Sequence, residues 1–141
     1  MTIIESIKDY FKNCNMIESD STIYADYLPS EVTEYAIYQT GNQEGGIVKS
    51  YINGVKLRQF TFVFASRFDY SMINSVENIE NSGFYEKLEK WIEDNNKNRI
   101  FPVGIDRPQK IEVLQTGAIF MVDPGGKIAE YQMIARLLYK K

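Results

Sequence analysis

The chain has 141 residues, with 16 Lys and Arg against 19 Asp and Glu, no histidine and a single cysteine. Without histidine it cannot hold a Ser-His-Asp triad, an imidazole base or an imidazole zinc site, and the lone Cys14 excludes an internal disulfide. The formal charge of −3 disfavours nucleic acid as the main partner, because phosphate binding needs clustered Lys and Arg. The sequence predicts one domain over residues 1–141, no signal peptide and no membrane span.

The first segment has the pattern of an amphipathic helix. Apolar side chains recur at three- and four-residue spacing, which places them on one helix face; they are Ile3, Ile4, Ile7, Tyr10 and Phe11. Thr2 followed by Glu5 matches a capping box at the helix start. Asparagines over residues 13–15 predict its end.

The middle of the chain is dominated by strand signals. Residues 16–34 predict a short extended piece and a loop, and strands follow over 35–39 and 47–52. Asn53-Gly54 predicts a two-residue type I′ hairpin turn. In the strand over 55–67, Phe60, Phe62 and Phe64 alternate with smaller residues. This period of two predicts one aromatic sheet face, covered by helices.

The last half repeats the order of helix and then strands. Residues 70–83 are ambiguous, and Ser82 is predicted to cap a helix with an apolar stripe of Phe84, Leu88, Trp91 and Ile92. A loop over 100–108 precedes a strand over 110–122, in which Gly117 suggests a bulge. A turn over 123–126 precedes the last segment. There Ala129, Tyr131, Met133, Ala135, Leu137 and Tyr139 share one parity, which predicts a strand over 127–139. The predicted fold is therefore α+β, an antiparallel or mixed sheet of four to five strands with two main helices packed against it.

Candidate catalytic patterns are weak. Gly41–Ser50 has glycines at phosphate-loop separation, but Ile47 and Val48 intervene before Lys49-Ser50, so a polar hairpin tip is the better interpretation. Cys14 follows a helix C-terminus, which does not activate a thiol. Carboxylates with no metal or acid–base spacing lie in polar sequence; they are Asp20, Asp26, Glu31, Glu34, Glu77 and Glu80. The sequence thus predicts no catalytic residue, cofactor or metal.

Tyrosine is unusually frequent, with ten residues in the chain. Tyrosine is enriched at protein interfaces, which favours a protein with many contacts over a monomeric enzyme. The alternative is that these side chains line the rims of the sheet. The residues concerned are Tyr24, Tyr27, Tyr35, Tyr38, Tyr51, Tyr70 and Tyr85.

Several stretches, in order along nearly the whole chain, resemble a family of small phage proteins. They are IESIKDYFKNC from Ile4, YLPSEVTEYAI from Tyr27, RQFTFVFASR from Arg58, ENIENSGFYEKLEKWIE from Glu77 and YQMIARLLY from Tyr131. The family is that of the minor capsid or tail-terminator proteins of Clostridium-type and other Firmicute tailed phages and prophages. None of these stretches is a catalytic motif, so the resemblance points to ancestry and to a structural role.

The resemblance implies a small α+β protein of the virion neck, assembled in the host cytoplasm. Such proteins form a ring, usually hexameric, that caps the tail tube, ends its polymerisation and joins the tail to the head connector. In a contractile tail the ring also meets the sheath. DNA passes through the lumen as a passenger and not as a ligand.

A ring requires each subunit to present two different patches. Candidate interface residues are apolar side chains in segments with no predicted core position: Tyr70, Met72 and Ile73 in one set, Ile100 and Phe101 in another. These residues can equally cover one end of the core. Two alternatives remain: a head–tail connector or stopper, and, in another class, a small cytoplasmic enzyme that uses carboxylates.

Overall fold

The computed structural model describes residues 2–17, 23–25, 35–41, 46–69, 75–122, 125 and 128–141. In chain order the elements are α1 (Ile3–Lys12), β1 (Ile23–Ala25), β2 (Tyr35–Gln39), β3 (Ile47–Ser50), β4 (Lys56–Asp69), α2 (Ser75–Lys97), β5 (Pro108–Val122) and β6 (Ile128–Lys140). Two helices and one mixed sheet confirm the predicted α+β fold.

The sheet has six strands, where four to five were predicted. Its order is β1-β2-β4-β6-β5, and β3 pairs separately with the start of β4. Only the β1–β2 pair is parallel among the described strand pairs. The additional strand is β1, which lies within the extended piece predicted over residues 16–34. Three residues are too few to show a period of two.

Helix α1 begins at the predicted capping box. The backbone N–H of Thr2 donates to a Glu5 carboxylate oxygen at 2.8 Å, and the backbone N–H of Glu5 donates to Thr2 Oγ1 at 3.2 Å. The first of these bonds lowers the pKa of Glu5. Two of the helix's otherwise unpaired backbone donors are thereby satisfied, which fixes where the helix starts.

The core lies between the two helices and one face of the sheet. Phe60, Phe62 and Phe64 of β4 are buried on this face, as the alternation predicts. The ring of Phe11 from α1 lies 4.9 Å from that of Phe64 and 5.9 Å from that of Trp91 on α2. On β6 side chains of the predicted core face are also buried; they are Ala129, Tyr131, Met133, Ala135 and Leu137.

Helix α2 starts at Ser75, so the prediction that Ser82 caps it is wrong. Gly83 has no neighbour within 4 Å of where a Cβ would lie, so the helix passes through open space at this residue. The buried face also differs from the predicted stripe. It is formed by Tyr85, Leu88, Ile92 and Asn95, and Phe84 and Trp91 lie half-buried beside it.

The Asn53-Gly54 hairpin is present, but its turn is not type I′. Gly54 has a φ of +87°, whereas Asn53 is not among the described residues with positive φ. The Asn53 side chain accepts the Val55 N–H at 3.1 Å, and Tyr51 N–H donates to Val55 O at 2.9 Å across the loop. A three-residue loop with glycine in the left-handed position therefore replaces the two-residue turn.

Strand β5 is irregular where a bulge was predicted. Its register against β6 shifts between Gln115 and Ala118, on either side of Gly117, and at three further places. The predicted turn over residues 123–126 lies outside the described residues except for Gly125.

Candidate assembly surfaces

The structure describes two of the five interface candidates that the sequence suggested. Tyr70, Met72 and Ile73 lie outside the described residues. Ile100 and Phe101 lie in the loop between α2 and β5, with Ile100 53% exposed and Phe101 half-buried. Val103 in the same loop is 78% exposed, so this loop presents an apolar surface.

This loop is fixed by the way α2 ends. The N–H of Ile100 donates to the carbonyl of Asn95 at 2.8 Å, and that of Arg99 donates to the carbonyl of Asn96 at 3.3 Å. With Arg99 at φ +57°, these bonds form a Schellman motif. In this motif the residue at the position of Ile100 usually packs against an apolar residue at the position of Asn95. Here the Asn95 amide donates to the Tyr10 hydroxyl at 3.1 Å, and Ile100 stays exposed.

Arg99 occupies a backbone conformation that costs an L-residue about 1 kcal/mol. We expect Arg99→Gly to be more stable than Arg99→Ala by about 1 kcal/mol, since both lose the side chain and only Ala keeps the strain. Urea unfolding of the two variants measures this difference. The same pair of substitutions at Lys87, exposed within α2, should give the opposite sign because glycine weakens a helix interior. Equal stabilities at position 99 contradict the motif.

Strand β5 forms one edge of the sheet, and a side chain of α2 satisfies only part of the outward-facing backbone of this strand. The Asn96 side chain donates to the Ile111 carbonyl at 2.8 Å and accepts the Ile111 N–H at 3.0 Å. One rung of the edge is thereby satisfied. Further along, Leu114 is 50% exposed and Gln115 is also exposed. An edge strand with an exposed apolar side chain is a site where another chain can pair.

The exposed large apolar side chains of the described residues divide into two groups. Ile100, Val103 and Leu114, on β5 and the loop that leads into it, are here named the loop–β5 patch. Val48 and Ile52 form the β3 patch, on β3 and its turn to β4. Since β3 pairs with the side of β4 opposite to β6 and β5, the two patches belong to opposite edges of the sheet.

The face of the sheet away from the helices carries paired charges. Arg136 contacts Glu112 at 3.3 Å and Gln59 at 3.0 Å, and Lys110 contacts Glu112 at 3.3 Å. Burial acts to raise the pKa of Glu112, but the Lys110 hydrogen bond and the Arg136 charge together lower it. Further along this face, Arg67 lies 3.4 Å from the buried Glu130.

A depression of about 330 Å³ lies beside that second pair, lined by Tyr38, Val63, Glu130 and Gln132. Its lining mixes apolar and charged groups. Glu130 is held from two sides, by Arg67 at 3.4 Å and by the Gln132 amide at 3.0 Å. The carboxylate is therefore engaged in structure rather than presented for chemistry.

Two of the tyrosines suggested as contact residues belong to the core. Tyr35 and Tyr85 are buried. The Tyr85 hydroxyl lies 2.6 Å from Ser66 Oγ and donates to the Tyr131 carbonyl at 3.1 Å. Burial raises the pKa of Tyr85. Tyrosine content therefore overstated the contact surface, because a tyrosine can be buried once its hydroxyl has partners. Tyr24, Tyr38 and Tyr51 are partly exposed, and Tyr27 and Tyr70 lie outside the described residues.

The remaining sequence candidates do not form a site where the structure describes them. Cys14 is buried, and burial raises the pKa of its thiol. Lys49 and Ser50 belong to strand β3, not to the helix start that a phosphate loop requires. Asp20, Asp26, Glu31 and Glu34 lie outside the described residues, and Glu77 and Glu80 fall on α2.

Within the described ranges, no group of three or more acidic or thiol side chains is placed to hold a metal ion. Neither helix, as far as it is described, has the length and apolar composition to cross a membrane. Comparison with protein-family models and with curated proteins gives no match for the chain.

Proposed function

We propose that this chain is a structural protein of a tailed-phage neck and assembles head to tail into a ring on the end of the tail tube. The observation that carries the proposal is the presence of two different apolar patches at opposite edges of one sheet. A two-fold dimer uses one self-complementary patch, whereas a ring uses two different ones.

The sheet is suited to hold these patches at a fixed separation. Strand β4 pairs along its length with β6, which in turn pairs with β5, so the elements that carry the patches belong to one hydrogen-bonded unit. A rigid subunit gives every contact the same rotation, and a constant rotation is what closes a ring rather than producing aggregates of mixed size.

The resemblance of the sequence to tail terminators supports the place of this ring in the virion. There it stops tube polymerisation and joins the tail to the head connector, and in a contractile tail it also meets the sheath. Its partners are further copies of itself, most simply six in the ring, the tube protein and the connector, with DNA passing through the lumen. The protein is then a virion component assembled in the host cytoplasm and has no catalytic role.

Cysteine cross-linking tests the head-to-tail contact. The native Cys14 is buried, so cysteines introduced at Val48 and Leu114 are the reactive ones. With a flexible bis-maleimide, Val48→Cys/Leu114→Cys should give a ladder of covalent multimers that stops at one size. Each single variant should remain monomeric on a denaturing gel, because a head-to-tail contact joins unlike positions. Lys87→Cys/Leu114→Cys is the matched control.

A covalent dimer from either single variant contradicts the head-to-tail contact in favour of a two-fold one. A protein that is monomeric at 100 µM and gives no ladder contradicts the ring. Position in the virion is tested separately by deleting the gene and imaging the lysate. Overlong tails support the terminator, and tails of normal length unattached to filled heads contradict it in favour of a connector.

A further inference from the structure

Basic side chains are concentrated at one end of the sheet. Strands β3, β4 and β6 meet there, and Lys56 and Lys141 exchange two backbone hydrogen bonds of 2.9 and 3.0 Å. The Arg107 carbonyl accepts the Lys140 N–H at 3.2 Å, which brings the start of β5 to the same place. Six of the chain's 16 basic residues lie on these rungs: Lys49, Lys56, Arg58, Arg107, Lys140 and Lys141. Strand alternation places Lys56 and Arg58 on the sheet face of Phe60, and Lys49 and Lys140 on the opposite face. The three cations beside Tyr51, which are Lys49, Arg107 and Lys140, are here named the Tyr51 basic cluster.

The cluster has no ion-pair partner among the described side chains. Within the described ranges, no carboxylate side chain lies within 4.0 Å of any of these six basic residues, although Arg67, Lys90, Lys110 and Arg136 each have one. Asp106 is the acidic residue that directly precedes Arg107. Acidic residues outnumber basic ones in this protein, so uncompensated cations at one end are a local feature and not a consequence of composition. A bound polyanion would relieve their repulsion.

Two of these cations, Arg107 and Lys140, line a depression of about 570 Å³ together with Tyr51, Ile52, Asn53 and Val55. The third, Lys49, lies over the ring of Tyr51 in that lining. The Nζ atoms of Lys49 and Lys140 each lie 5.2 Å from the centre of the Tyr51 ring. Cation–π attraction of this kind holds both ammonium groups in place. Because the two lysines lie against the Tyr51 ring, the ring positions their charges and is not free for a base to stack on.

We propose that the Tyr51 basic cluster binds the phosphate backbone of duplex DNA without sequence preference. Cations presented around a wide depression match a regular array of phosphates, and release of counterions from DNA supplies the free energy of binding. Single-stranded DNA is disfavoured because its sites use free aromatic faces for stacking. DNA is then a ligand of one end of the subunit, and this binding does not depend on whether the chain forms a ring.

Fluorescence anisotropy with a labelled 20-base-pair duplex and the full chain tests this proposal. If Lys49, Arg107 and Lys140 each neutralise one phosphate, affinity should fall roughly 40-fold between 50 and 200 mM salt. Two duplexes of unrelated sequence should bind equally. Lys49→Glu/Lys140→Glu should weaken binding at 50 mM salt by about tenfold or more. The control Lys87→Glu/Lys97→Glu makes the same charge change on exposed positions of α2 and should weaken it less than about threefold.

Several results would overturn the proposal: no binding by the native chain at 50 mM salt, equal losses in the two double variants, or tighter binding of single-stranded than of duplex DNA. Poly-glutamate of matched charge should compete at least about tenfold less well than duplex DNA; equal competition overturns the proposal in favour of an acidic protein partner. If the charge reversal fails to fold, Lys49→Gln/Lys140→Gln takes its place, with the same comparison to Lys87→Gln/Lys97→Gln.

Discussion

Phe11→Ala should lower the free energy of unfolding by about 3–5 kcal/mol, which for a domain of this size corresponds to a loss of about 10–15 °C in Tm. Phe11 is fully buried. Its ring lies within 6.0 Å of those of Tyr10, Phe62, Phe64 and Trp91. The substitution removes several aromatic contacts together and leaves a cavity between both helices and the sheet.

Phe101→Ala is the matched control, because it makes the same truncation at a half-buried ring in the loop that carries Ile100 and Val103 of the loop–β5 patch. We expect a loss of about 1 kcal/mol or less, chiefly from contact with Arg99, which lies 5.5 Å from the ring centre. The same variant should weaken ring assembly in the cross-linking experiment. Equal losses of stability from the two variants would show that Phe11 does not join the two helices to the sheet. If Phe11→Ala does not fold, Phe11→Leu should cost about 1–2 kcal/mol.

The sequence correctly predicts those elements whose defining side-chain pattern lies within the element itself. Helix α1 carries its own capping box, and β4 shows its buried face through three alternating phenylalanines. The parity of β6 is equally clear. In each case the partner of the element need not be known, because side-chain spacing alone separates the core face from the solvent face.

What the sequence did not predict depends on contacts between distant residues. Tyr85 is buried because Ser66 and the Tyr131 carbonyl meet its hydroxyl, and both come from strands. Asn96 lies in the last turn of α2, and its side chain satisfies the backbone N–H and carbonyl of Ile111 on β5. Such pairings have no signature in spacing.

The candidate surfaces follow the same division. Ile100 and Phe101 could be proposed from sequence because they are apolar residues in a Pro-containing loop with no core position. Val48 and Leu114 could not, because an exposed residue within a strand looks like its buried neighbours. The three cations of the Tyr51 basic cluster are spread from Lys49 to Lys140, and only strand pairing brings them together. The net charge of the chain therefore disfavours nucleic acid as a partner, whereas the local positive charge beside Tyr51 supports the proposal that it binds DNA.

Raising the pH from 10 to 12 should destabilise the protein steeply. Burial raises the pKa of Tyr10 from 10.0 to about 12, outweighing the hydrogen bond from Asn95, and burial also raises that of Tyr85. Below pH 10 both hydroxyls are protonated in the folded and unfolded chains, so their contribution is fully present. Above it the unfolded chain loses protons that the folded chain keeps, and the free energy of unfolding falls by up to about 1.4 kcal/mol per pH unit for each tyrosine.

The loss due to Tyr10 has an upper limit near pH 12, where the folded chain also ionises. Cys14 adds to the loss from about pH 9, because burial raises its pKa as well. Urea unfolding followed by the fluorescence of Trp91, the chain's single tryptophan, at several pH values measures the slope.

Tyr10→Phe should lower stability at pH 7 by about 1 kcal/mol, because the Asn95 amide loses its acceptor, yet it should reduce the slope between pH 10 and 12 by up to about 1.4 kcal/mol per pH unit. Tyr85→Phe should reduce the slope by a similar amount while leaving Ser66 without its partner. The two variants thus trade stability at neutral pH for resistance to alkali, which a simple loss of packing cannot do. An unchanged slope in both would mean that water reaches these hydroxyls in the folded protein, and the core between α1, α2 and the sheet would then not be closed.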